Sequence, residues 1–324
     1  MKIVKPAKLN SGDTVGIVAP SLPVLSSFKK NYEKGKKVIE DLGFKIKEGK
    51  TIGKTRWWAA GTPQEVATDI NSMFADKNVK AIMAQTGGYS ASLVLEYLNY
   101  ELITNNPKPF IGMSDVTNFH LAFLTKCQLV GFHMDDVTFG FGHSWAQGED
   151  LLAEFQKQMF LKFLTLPEPA GVIGALTEWE GWREGSAQGH LIGGNLHLLA
   201  NLIGTEYFPA KDTFDGAILF WEEVGEPLHN IARFLTHLKY AGALEKISGM
   251  LIGKITYIKP SREKEVIAPT VSEMVMDLLK NYKFPIMANS DFGHFTVNTP
   301  MPLGIKVSFD TSKKQLNFLE SAVI

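Results

Sequence analysis

The sequence predicts an α/β fold in two domains. Three observations carry this: apolar strand runs alternate with helical patterns through the first half, the pattern changes after about residue 140, and 324 residues favour two cores over one. The strand runs are TVGIVA (14 to 19), VKAIMA (79 to 84), PFIGM (109 to 113) and QLVGFH (128 to 133), each of strand length and rich in apolar or β-branched residues. Between them the clearest helix starts at Thr62, an N-cap followed by Pro63 and by Glu65, which together spell a capping box. Val66, Ile70, Met73 and Phe74 then recur at helical spacing. A second helix is expected over SLVLEYLNYE. Such alternation implies a mostly parallel sheet covered by helices, with ligands at the carboxyl ends of its strands.

From about 146 to 174 the chain reads as a crossover linker, dividing a first domain over 1–145 from a second over 175–324. The second part opens on a glycine-rich turn, GHLIGGNL, and a helix through LHLLANLIG. A buried strand AILFW, a helix from about 228 to 242 and a strand GMLIGKITYI follow. A helix near 267 to 281 and short strands around PIMAN and GIKVSFD complete it.

Composition narrows the function classes. With 33 basic and 34 acidic residues the net charge is -1, which gives no broad electrostatic reason to bind nucleic acid or an acidic membrane surface. No apolar h-region opens the chain and no apolar run spans a bilayer, so a cytoplasmic location is expected. The single cysteine, Cys127, excludes an intrachain disulfide and lies in an apolar run where an inert thiol is expected.

Chemistry concentrates at strand ends. Ser114 follows the strand PFIGM and precedes an apolar helix, with Gly112 before it and Asp115 after it. A sharp turn of this kind exposes a serine hydroxyl and aims the next amide at an oxyanion. The same position suits an N-cap serine, so local sequence leaves both roles open. Val116 departs from the Gly-x-Ser-x-Gly pattern and argues against a lipase-type hydrolase. Gly87 and Gly88 end another strand, where bare backbone suits an oxyanion hole, a phosphate cradle or a plain left-handed turn.

In the second half Glu222 and Glu223 end the strand AILFW, and either orient an imidazole or line a solvated rim. His294 lies in the polar loop NSDFGHFTVNTP, as a general base or as a surface histidine. His120 follows Ser114 by six residues, too far round its helix to bond it directly. His190, His197, His229 and His237 fit no metal spacing, and no metal is expected. Trp182 either stacks on a substrate ring or covers a core edge.

These pieces meet in a family. The segments GTPQEVATDINSMFADKNVKAIMAQTGGYSASLVLEYLNYE, PFIGMSDVT, GHLIGGNLHLLANLIGTEYFP, ILFWEEVGEPLHNIARFLTHLKYAGALEKISGMLIGK and DFGHFTVNTPMPLGIKVSFD resemble, in that order, the LD-carboxypeptidase family of serine peptidases, with its microcin-immunity branch. The resemblance implies a nucleophile at Ser114, a glutamate at Glu222 and a histidine at His294, with Glu223 a bystander. It places the oxyanion hole at the amides of Asp115 and of the Gly87 and Gly88 turn. It further implies an N-terminal α/β domain carrying the serine, and a C-terminal mixed domain with a β-barrel-like sheet carrying Glu222 and His294. The active site would lie in the interdomain cleft, no cofactor would be needed, and a homodimer would be compatible.

Two substrate classes follow from the resemblance. The carboxypeptidase branch removes a terminal D-alanine from murein tetrapeptides during cell-wall recycling. The immunity branch cleaves the amide of peptidyl or aminoacyl adenylate mimics. Thr86, where the carboxypeptidase branch often carries arginine, favours the immunity branch, while the short segment between about 145 and 182 favours the carboxypeptidases. Trp182 is the candidate for stacking on a nucleobase. The carboxypeptidase class is the broader expectation, and a non-catalytic peptide or nucleotide binder is the contrasting one.

Overall fold

Every apolar run of the first half forms a strand in the computed structural model, which describes residues 2–144, 151–260, 267–294 and 297–324. The four runs give β1 (Thr14–Val18), β3 (Val79–Ala84), β4 (Phe110–Gly112) and β5 (Gly131–His133), and the mostly charged segment β2 (Lys45–Glu48) adds a fifth strand. They pair in parallel in the order β5-β4-β3-β1-β2, and the two residues Met301–Pro302 add an antiparallel edge to β5. They belong to a unit comprising Met1–Pro169, Thr299–Gly304 and Ser321–Ile324. Its helix Pro63–Ala75 begins at the Thr62 capping box, and Val66, Ile70, Met73 and Phe74 are all buried. Phe74 packs on Phe110 and Phe123 with ring centroids 6.1 and 5.6 Å away, which fixes the helices on the sheet.

The helix expected over SLVLEYLNYE is instead broken into the 3₁₀ turns Ala91–Leu93 and Leu95–Tyr97 and the short helix Tyr100–Asn105. Asn99 is the reason: its side chain accepts from the Leu102 amide and starts a new helix inside the run.

A second unit comprises Ala170–Asn298 and Ile305–Glu320. Its eight strands are β6 (Gly171–Gly174), β7 (Glu180–Arg183), β8 (Ser186–Asn195), β9 (Ile218–Val224), β10 (Gly249–Thr256), β11 (Ile286–Ala288), then Lys306–Asp310 and Gln315–Phe318. The β8-β9-β10-β11 core is parallel and is flanked by antiparallel strands, with β6 and β7 at the two ends. Among the described residues the sheet is therefore open and mixed, not a closed barrel.

GHLIGGNL is strand, not turn. A Cβ on Gly193 would run into the Phe220 carbonyl of β9, and one on Gly189 into that of Gly216, so these glycines serve close strand packing. Asn195 then caps the helix Leu196–Asn201. No helix among the described residues is long and apolar enough to cross a membrane.

Candidate active site

In the first unit the chain turns sharply where β4 ends. Gly112 takes φ 155° and Ser114 takes φ 61°, a left-handed conformation that a serine adopts only when its surroundings impose it. Residues Ser114–Val116 form a single 3₁₀ turn and the helix Thr117–Cys127 follows at once. No hydrogen bond from the Ser114 side chain caps this helix, since the residue before the turn is Met113 and no side-chain cap exists there. The missing cap does not fit the helix-cap role of Ser114, and the left-handed backbone sets this residue apart from an ordinary N-cap.

Gly87 completes this corner. A Cβ placed on it would stand 2.8 Å from Ser114 Cβ, 3.1 Å from Ser114 Oγ and 3.2 Å from the Asp115 nitrogen. Glycine thus keeps clear the space in front of the hydroxyl and the Asp115 amide, where an oxyanion would need to sit. Gly88, at φ 149°, lies against Ser21 and Leu22.

The corner is held by Asp115, which is 2% exposed. Its Oδ2 accepts from Ser21 Oγ at 2.6 Å and the Ala91 amide at 2.8 Å, and its Oδ1 accepts from Asn118 Nδ2 at 2.9 Å. Burial raises the carboxyl above its usual range, and these donors pull it only partly back. Ser21 Oγ also accepts from the Ser90 amide at 3.0 Å, and the Leu22 amide donates to the Gly87 carbonyl at 3.1 Å. The ends of β1, β3 and β4 are thereby one hydrogen-bonded assembly. Ser21 escaped notice in the sequence, although its position just past a strand is the same signal that marks Gly87 and Ser114.

In the second unit Glu222 lies inside β9, wholly buried, with His294 Nδ1 2.6 Å from its Oε2. Gly293 makes this approach possible: at φ 120°, a Cβ there would stand 3.0 Å from Glu222 Cβ. An imidazole next to a buried carboxylate donates its Nδ1–H, which fixes the tautomer that keeps Nε2 as a base. The neighbouring Glu223 points elsewhere, accepting from Asn195 Nδ2 at 3.0 Å, the Val224 amide at 2.9 Å and the His197 amide at 2.8 Å. Burial, and then the Glu222 charge, push its carboxyl up to about 7 against those donors.

The loop carrying His294 is fastened at its base. Lys254 Nζ donates to the Asn289 carbonyl and to Thr177 Oγ1, each at 2.6 Å, and lies 3.9 Å from Asp291. Asp291, 1% exposed, accepts from the Leu176 amide at 2.7 Å and from the Thr177 amide and hydroxyl. Nothing in local sequence marked Lys254 or Asp291, because their partners lie far along the chain.

The remaining candidates fall outside these groups. His120 is buried, bonds the Phe110 carbonyl at 3.2 Å and packs in the core of the first unit. Trp182 is half-buried on β7, where its Nε1 donates to Glu180 Oε2 at 2.8 Å. Cys127 is a buried free thiol. No cluster of His, Cys, Asp or Glu suited to a metal occurs among the described residues.

Comparison with known proteins gives the arrangement a context. A family model described as the LD-carboxypeptidase N-terminal domain matches residues 15–134, and one described as the LD-carboxypeptidase C-terminal domain matches residues 188–309. The "Probable murein peptide carboxypeptidase" of Bacillus subtilis is 30% identical over 312 residues, which cover 96% of this chain and 92% of that protein. The microcin C7 self-immunity protein MccF of Escherichia coli is 27% identical over 338 residues, covering 97% and 95%. A structure of MccF in complex with glutamyl sulfamoyl guanosine overlays with a TM-score of 0.88 at 25% identity, covering 99% of both chains.

Proposed function

The chain belongs to the LD-carboxypeptidase family and is a serine-type hydrolase, and from that premise we propose that it removes a terminal D-amino acid from a murein tetrapeptide, in the cytoplasm, with Ser114, His294 and Glu222 as its catalytic triad. The observation that carries the reading is the buried Glu222 carboxylate 2.6 Å from His294 Nδ1. A wholly buried carboxylate is costly unless a partner uses it, and orienting an imidazole is such a use.

In this reaction His294 Nε2 takes the hydroxyl proton as Ser114 Oγ attacks the carbonyl before the terminal residue. The oxyanion rests on the Asp115 amide and the Gly87 and Gly88 turn, each donor contributing about 3 kcal/mol in comparable enzymes. Collapse breaks the C–N bond, and His294 returns the proton to the leaving amine. Water, deprotonated by the same imidazole, attacks the acyl ester, and Ser114 regains its proton. Besides water, only side chains and backbone amides take part.

A second reading, cleavage of aminoacyl nucleotide mimics as in the immunity branch, is favoured by one observation. Thr86, before the glycine pair, is a buried residue that donates its hydroxyl to Asp136 Oδ2 at 2.9 Å, where the carboxypeptidase branch often carries arginine. The test sets an LD-tetrapeptide beside an aminoacyl sulfamoyl adenosine, with wild type and Ser114→Ala. Release of D-alanine that Ser114→Ala abolishes supports the carboxypeptidase, while turnover of the nucleotide alone moves the protein to the immunity branch. Turnover of neither, with ligand still bound, would make it a binding protein.

A further inference from the structure

An exposed pair of tryptophans stands beside the nucleophile corner, and the catalytic reading gives it no task. Arg56 and Ala59 close a tight turn by two backbone hydrogen bonds, Arg56 N to Ala59 O at 2.7 Å and Ala59 N to Arg56 O at 2.9 Å. Trp57 and Trp58 form its tip, 72% and 52% exposed. Trp57 adopts φ 55°, at the turn position where a hairpin of this kind ordinarily uses glycine. A bulky residue held in a left-handed conformation, with most of its ring in water, loses on both backbone strain and hydration. Strain of this sort gathers at binding sites.

The turn is rooted in the assembly around Ser114. Directly after it, the Ala60 amide donates to the Ser21 carbonyl at 3.0 Å, and Ser21 is the residue that bonds Asp115 and the Ser90 amide. Tyr89, next to Ser90, is 76% exposed, so three bare aromatic rings stand on loops that Ser21 ties together.

The rings also have a defined shape. The Trp57 and Trp58 centroids are 5.8 Å apart with planes tilted by 32°, and the Arg56 guanidinium covers a Trp57 face at 3.8 Å. A flat base could stack on only one of two tilted indoles. A pyranose, with C–H bonds projecting from a puckered face, can meet both. A stacked guanidinium keeps its N–H groups in plane for oxygen acceptors at the ring's edge, and Arg56 has no carboxylate partner among the described residues.

We propose that Arg56, Trp57 and Trp58 form a platform for the amino sugar of a glycan-linked murein peptide, so that the substrate is held by its sugar while its far end reaches Ser114. The inference rests on the carboxypeptidase reading and adds the substrate's second anchor. In murein the peptide joins the sugar at the end opposite its terminal D residue, so a sugar platform apart from the corner and a scissile bond at the corner can serve one ligand.

The test compares disaccharide-tetrapeptide with free tetrapeptide in wild type, Trp57→Gly and Trp58→Ser. Trp57→Gly removes the ring and relieves the strained backbone, so its Tm should hold or rise by a few degrees. The ratio of kcat/KM for the glycan-bearing substrate over the free one should fall about tenfold in either variant. An unchanged ratio, or equal loss on both substrates, overturns the platform. Binding is also read without turnover, by titrating the protein's tryptophan fluorescence with the N-acetylglucosaminyl-N-acetylmuramoyl disaccharide. Saturable quenching that Trp57→Gly removes supports the platform even if neither peptide is hydrolysed, in which case only the carboxypeptidase reading fails. No quenching, or quenching by adenosine monophosphate alone, overturns it.

Discussion

Glu222 Oε2 and His294 Nδ1 lie 2.6 Å apart, joining a wholly buried residue of β9 to a loop 72 residues further along the chain. The contact exists because Gly293 lets the loop backbone press against Glu222 Cβ. If the carboxylate holds the tautomer and stabilises the imidazolium, Glu222→Gln keeps the shape and loses the charge. We expect kcat to drop by about 10²–10⁴-fold with little change in KM. Steady-state kinetics on the LD-tetrapeptide check this, and a loss of under tenfold would remove Glu222 from the proposed triad.

Ser114 offers a test of strain that is independent of catalysis. At φ 61° a side chain costs roughly 1–2 kcal/mol relative to glycine, part of which glycine returns through its freer unfolded chain. Ser114→Gly and Ser114→Ala both delete the hydroxyl, yet the glycine variant should be the more stable by about 1 kcal/mol. Chemical denaturation reads the difference, and an alanine variant of equal or higher stability would mean that the corner holds no strain.

Gly87→Ala puts a methyl into the space kept before Ser114 and the Asp115 amide, 3.1 Å from the hydroxyl and 3.2 Å from the nitrogen. Loss of one oxyanion donor costs about 10²–10³ in kcat, and we expect a fall of that order. Crowding adds ~1–3 kcal/mol of destabilisation. Gly174→Ala is the control, because a Cβ there meets nothing within 4 Å and should change neither activity nor Tm. Equal effects of the two substitutions would deny Gly87 its role.

Local rules and long-range contacts divided the legible from the illegible. The Thr62 cap and the strands β1, β3, β4 and β5 could be read because their signals lie within a few residues. GHLIGGNL carries a turn signal because glycines suggest turns locally, whereas Gly189 and Gly193 make room for the Gly216 and Phe220 carbonyls, partners that only the fold brings near. Ser21 stayed hidden for a similar reason, as its partner Asp115 is 94 residues away. Ser114, Glu222 and His294 each looked ambiguous alone, and ordered family resemblance, not local chemistry, joined them. Within the second unit the structure adds the 2.6 Å contact of Glu222 and His294, and within the first the left-handed backbone of Ser114.

His120 predicts how the first unit responds to acid. Fully buried, it bonds the Phe110 carbonyl, and a second buried imidazole, His133, lies with its ring centroid 6.4 Å away. Burial first, and then His133, push its pKa down from 6.5 to about 3. Between those values the unfolded chain binds a proton that the folded chain refuses, so stability is whole above pH ~6.5 and is lost as pH falls towards ~3. The slope from this residue approaches ~1.4 kcal/mol per pH unit. His120→Gln can still donate to the Phe110 carbonyl but cannot take up a proton. It should be less stable than wild type at pH 7.5, through altered packing, with the gap narrowing steadily to pH 4.5. Urea denaturation of both proteins across that range measures the gap. A constant gap would mean that His120 titrates alike in the folded and unfolded chain, and a widening gap would mean that the fold stabilises its charged form.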